Sequence, residues 1–161
     1  MMITRARAAT AQLVLCASWL GASLLLAAIV APAAFAVLPS RALAGDMVGR
    51  VLPVVFWWGI LVYVAISLLG RWTDATSRWK PRLLAAAVGG AACVLAQFVV
   101  GRSIDALRVR IGGPVDALAI TDPLRVAFGR MHAMSVAMLG IAMVCALVVV
   151  IVAAREPQPR G

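Results

Sequence analysis

Long runs of apolar residues alternate along this chain with short clusters of charge. No Asp, Glu, Lys or Arg occurs between Arg7 and Arg41, or between Arg50 and Arg71. The same holds from Leu83 to Gly101 and from Met131 to Ala154. About 20 apolar residues in a helix cross the roughly 30 Å hydrocarbon core of a bilayer. The four runs therefore predict membrane-spanning helices over about 11–31, 51–70, 83–101 and 131–154. The expected fold class is all-α: an up-down, four-helix transmembrane bundle in which residues 1–161 form a single integral membrane domain.

Local signals place the helix ends. The first helix should start near Ala8 to Ala11. Pro32 should kink or end it, because proline removes a backbone donor and its ring collides with the preceding turn. Ser40 to Gly49 reads as a polar connector, and Pro53 then falls in the first turn of the second helix, where a missing N–H costs little. The third helix should extend past Gly101 as an amphipathic segment through Arg110 and break at Gly112-Gly113-Pro114. Thr121 or Asp122 can cap the fourth helix, with Pro123 at its first position. Residues 123–130 then form an amphipathic start to that helix, in the headgroup zone or in water. Trp72 and Trp79 bracket Arg78 and Lys80 as interface anchors, and the chain after Ala154 reads as a disordered tail. Gly89-Gly90 among alanines offers a face for close helix packing. No internal sequence repeat is visible.

Composition agrees with this picture. Apolar residues make up 64% of the chain, where soluble domains have roughly half. The net charge of +9 sits in short segments between spans, a pattern of anchoring to anionic lipid and not of nucleic-acid binding. Cys16, Cys93 and Cys145 all fall inside apolar runs. An odd, widely spaced, intramembrane set argues against a disulfide framework and for small apolar residues at helix contacts. The first apolar run is longer than the roughly 7–15 residues of a signal-peptide core, so an uncleaved first span is expected.

Four spans put both termini on one side, opposite a distal face made by the two remaining connectors. The 15 cations divide almost evenly between the sides, but Asp46, Asp105, Asp116 and Asp122 offset those of the distal face. With the basic N-terminal segment, that imbalance predicts cytoplasmic termini.

Candidate chemistry is sparse. His132, the only histidine, stands where the fourth helix enters the membrane, and ionisable residues at such depths are uncommon and often functional. A hydrogen bond to a backbone carbonyl or lipid headgroup is the alternative role. Met131, Met134, Met138 and Cys145 recur at helical spacing. They provide soft ligands suited to Cu(I), or adaptable filling for a helix interface. Asp105 stands three residues from both Arg102 and Arg108 and can pair with them along one helix face. Gln97 is placed for an interhelical hydrogen bond. No nucleophile–base pair, paired catalytic carboxylates or phosphate-cradling loop is present, so a binding or structural role is expected ahead of an enzymatic one.

The segments APAAFAVLP, AGDMVGRVLP, GRSIDALRVRIGG and DPLRVAFGRMHAMS, in that order, resemble the bacterial branch of the transmembrane protein 205-like family. That is a family of small four-span proteins known as a domain of unknown function. The strongest pieces are the stretch ending helix one at Phe35 and the run from Phe128 through Arg130 and His132 to Ser135. The resemblance implies an inner-membrane protein of uncharacterised role. Apart from that resemblance, the residues gathered on the distal face give the main expectation: binding of a small ligand, metal ion or partner around His132, Arg130, Asp105, Arg102, Phe35 and Ser135. More distantly, the chain is similar to copper-resistance membrane proteins of the CopD type and to bacterial haem-dependent protoporphyrinogen oxidases. That likeness implies copper or haem b, with His132, Met131, Met134 and Met138 as ligands. One histidine cannot supply bis-histidine ligation, so a haem would need a methionine ligand or a dimer. A structural accessory subunit is the third reading. The expected partners are a bilayer containing anionic lipid and a further membrane protein or second copy.

Overall fold

The computed structural model describes the backbone over residues 2–73 and 79–155, and side chains over 7–70 and 80–155. Four long helices account for nearly all of it. Helix α1 joins Met2–Leu25, a π-helical turn Leu26–Val30 and Ala31–Val37. Helix α2 is Arg41–Thr73. Helix α3 joins Trp79–Leu95, a π-helical turn Ala96–Gly101 and Arg102–Ile111. Helix α4 is Pro123–Ala154. Each is long and apolar enough to cross a membrane. The proposed anchors Trp72, Arg78 and Trp79 and the segment from Glu156 onward lie outside the described side chains.

Two helix boundaries differ from those the sequence predicts, one at Pro32 and one at the start of α2. Pro32 neither ends α1 nor begins a connector, because the chain widens into a π-turn just before it, with Ala31 N–H donating to the Leu26 carbonyl. The wider turn relieves the clash between the proline ring and the carbonyl four residues back, and α1 continues to Val37. The expected connector over Ser40 to Gly49 is in fact the start of α2. The Ser40 hydroxyl accepts from Leu43 N–H at 3.2 Å, closing the first turn. Pro53 is therefore interior to α2, not in its first turn. At the other ends the sequence signals hold. Gly112 stops α3 with φ of 66°, a left-handed conformation suited to glycine. The Asp122 carboxylate caps α4 by accepting from Leu124 N–H at 2.8 Å.

The helices pack as a ring: α1 on α2, α2 on α3, α3 on α4, and α4 back on α1. A spacing is shared between the halves that residue identities conceal. Gln12, Cys16, Trp19, Ser23 and Leu26 of α1 are buried, and so, at the same intervals, are Arg82, Ala86, Gly89, Cys93 and Ala96 of α3. Phe56, Gly59, Val62, Tyr63 and Ile66 of α2 match Leu139, Ala142, Cys145, Ala146 and Val149 of α4 in the same way. Both π-turns begin at matched positions, Leu26 and Ala96. The bundle is thus two helical hairpins with one burial pattern, bulky in the first half and small in the second.

That complementarity builds the core. The Trp19 and Tyr63 rings meet edge-on with centroids 5.7 Å apart, and Trp19 Nε1 donates to the Val55 carbonyl at 2.9 Å. The Tyr63 hydroxyl crosses the bundle to donate to the Ala142 carbonyl. Its ring lies on Gly89, where an added Cβ would stand 2.6 Å from Cε1. The three cysteines are buried, unbridged members of this cluster. Towards the termini, Gln12 donates to the Ile66 carbonyl at 3.4 Å, and Arg82 is buried at 2% exposure.

Candidate functional site at the distal face

At 1.5 Å per residue, α2 and α4 are each about 50 Å long, against a core of roughly 30 Å. The bundle must project from the membrane. Among the described residues, the charges of the distal end lie on α2 before Val51, on α3 after Gly101 and on α4 before Met131, within ordered helix.

Arg108 organises this end. One guanidinium nitrogen is 3.1 Å from the Asp46 carboxylate on α2, and the other donates to the Gly45 carbonyl at 3.4 Å. The group lies over Gly49, where a Cβ would come within 3.1 Å of it. Its Cζ also sits 5.9 Å from the Phe128 ring centroid on α4, within cation–π range. The expected trio on α3 does not form. Arg108 is taken up by Asp46, Arg102 lies 5.6 Å over the Phe98 ring, and among the described residues Asp105 has no ion-pair partner. Long-range geometry has won over the spacing along one helix, because Gly49 leaves room for the guanidinium against α2. Arg125 secures the following connector, donating to the Leu118 carbonyl at 2.6 Å and lying 3.9 Å from Asp116.

Beyond the π-turns the ring loosens into pairs. The end of α1 packs chiefly on the start of α2, and the end of α3 on the start of α4. Arg108 and the short 3₁₀ turn Val115–Ala117 bridge the α2/α3 seam. Among the described residues, no side-chain ion pair joins the end of α1 to the start of α4. His132 stands in that part of α4. It precedes Leu139 by seven residues and so shares its helix face to within about 20°, yet Leu139 is 7% exposed and His132 is exposed. Arg130 is exposed as well, as is Phe35 near the end of α1, whose ring carries the Arg41 guanidinium at 5.9 Å.

The remaining expected residues separate. Ser135 is buried one turn inside His132, while Arg102 and Asp105 are exposed on α3. Met131 and Met138 share a half-buried face, and Met138 packs on the core. Met134 is exposed, and it lies about 200° around the helix from His132 at 100° per residue. These four side chains cannot converge on one ion from a single helix, so they do not fit the copper or haem site that the resemblance implied. Among the described residues, no group of three or more His, Cys, Asp or Glu converges as a metal site. Sequence reasoning missed Arg108 as the organiser, although Gly49, three residues after Asp46, was a signal of close approach.

The fold defines a small, multi-pass, helical membrane protein with four helices long and apolar enough to span a bilayer. The chain belongs to the family described as a domain of unknown function, DUF4149, whose family model matches residues 14–112. The match takes in α1 from Val14, α2 and α3 up to Gly112, with both π-turns, Asp46 and Arg108; α4 follows it. No curated protein and no solved structure matches the chain.

Proposed function

We propose that this chain is a binding protein whose working part is the distal face around His132 and Arg130, and that the buried bundle is its holder. The chain sits in the bacterial inner membrane with both termini cytoplasmic, a placement supported by the basic N-terminal segment and the acids of the distal connectors. The observation carrying the reading is His132 itself: a polar side chain on the same face of α4 as buried Leu139, yet exposed seven residues nearer the start of the helix. An aromatic ring, Phe35, with the Arg41 guanidinium over it, and a further cation, Arg130, are exposed at the same end of the bundle. Such a mixture suits a small ligand or partner segment with an apolar body and a polar or anionic end. The likeness to transmembrane protein 205-like proteins, which share the run from Phe128 to Ser135, supports the same place.

Native mass spectrometry of the protein released from membranes in mild detergent tests this. Wild-type protein is expected to carry a bound mass that the His132→Ala variant loses, with insertion and thermal stability unchanged. Equal occupancy in the two proteins removes His132 from any binding role.

A further inference from the structure

Two irregular turns stand at matched positions where the core ends. Both π-turns, Leu26–Val30 and Ala96–Gly101, begin at matched positions in the two hairpins, and the helices beyond them pair within hairpins and little between them. A π-turn trades the regular hydrogen-bond ladder for wider, weaker bonding, which is why such turns mark bends and functional sites in helices. In α1 the turn is followed by Pro32, which removes one further donor. In α3 it contains Gly101, where an added Cβ would press within 3.3 Å of the Ala96 carbonyl. Each hairpin therefore has its weakest helical bonding where its distal arm begins.

Polar contacts through Arg108 join the distal arms: to Asp46 and to the Gly45 carbonyl of α2, while the face of Phe128 holds the guanidinium from its own arm. Arg108 and Asp46 lie outside the charge-free runs, with side chains 35% and 59% exposed. An ion pair this wet is worth little, and its partners exchange readily with water and salt. The Trp19–Tyr63 core is the opposite case, buried and tied by two hydrogen bonds across helices. The inner part of the bundle has no cheap way to open, and the distal part does.

We propose that the distal end is a lateral gate, in which the two π-turns are hinges and the Arg108–Asp46 clasp is the latch. With the clasp closed, the α2/α3 seam is shut and the hairpins meet the bilayer through the α1/α4 seam at His132. With it released, the end of α3 swings from the start of α2 about Ala96–Gly101 and the end of α1 moves about Leu26–Val30, while α2 and α4, which are unbroken helices, keep their course. The inner bundle stays intact. The gate depends on no particular ligand, so its test is independent of the binding reading.

The test is hydrogen exchange on the full chain in lipid nanodiscs. Asp46→Asn and Arg108→Gln should each speed exchange over 41–50 and 102–111 roughly two- to fivefold, the shift set by loss of an exposed ion pair. Rates over 8–25 and 83–95 should not change. The double variant should match the single ones, since both remove one contact, and Asp105→Asn should have no effect. Spin labels at Val37 and Val109, 81% and 82% exposed, should give a longer and broader distance distribution in Asp46→Asn than in wild type. Unchanged distal exchange overturns the latch, as does a rise shared by all four helices. Faster exchange with an unchanged label distance overturns the hinges.

Discussion

Gly89 of α3 is the seat of the Tyr63 ring of α2: no side chain fits there, since a Cβ would stand 2.6 Å from both Cε1 and Oη. Overpacking a filled core costs about 1–3 kcal/mol. Gly89→Ala should therefore lower the thermal unfolding midpoint in detergent by several degrees. Gly129→Ala, where nothing lies within 4 Å, should leave that midpoint unchanged. Circular dichroism on the two variants side by side makes the comparison.

The hydroxyl of the same tyrosine bonds the Ala142 carbonyl across the bundle. Tyr63→Phe keeps the ring on Gly89 and loses only that bond, worth about 0.5–1.5 kcal/mol. Its effect on the midpoint should be smaller than that of Gly89→Ala. A larger loss would mean that the hydroxyl, and not the ring, holds the hairpins together.

The contrast between ring and hollow also shows what could be read from the residues alone. Helix number, direction and most ends were legible, because charge-free length, the Asp122-Pro123 start and the Gly112 stop are local signals. The start of α2 was not. Asp46 and Arg50 made its first turns look like a connector, whereas a helix projecting into water can carry such residues freely. Pro32 announced an irregularity without saying that the helix would widen and go on. The matched burial of the two hairpins was hidden because Trp19 corresponds to Gly89 and Tyr63 to Ala146, large against small. At the distal face, spacing named His132 and Arg130. It paired Asp105 with Arg108, when only three-dimensional packing brings Arg108 to Asp46.

Asp122 caps a helix whose first turns lie beyond the membrane core. Asp122→Ala should cost about 1 kcal/mol, confined to that end. Amide exchange over 123–128 is expected to accelerate while 139–150 keeps its wild-type rate. Uniform acceleration along α4 would show that the cap supports the whole span.

The claim that everything functional here depends on is that His132 opens to water beside the membrane while the rest of its helix face is packed. Cys16, Cys93 and Cys145 are all buried, so a thiol introduced by His132→Cys can be followed against a silent background. Reaction of intact protein in vesicles with a membrane-impermeant maleimide measures it directly. The expected result is rapid modification of His132→Cys, with wild type and Leu139→Cys unreactive. A His132→Cys protein as slow as Leu139→Cys would contradict the account, because the α1/α4 seam would then be closed at its mouth.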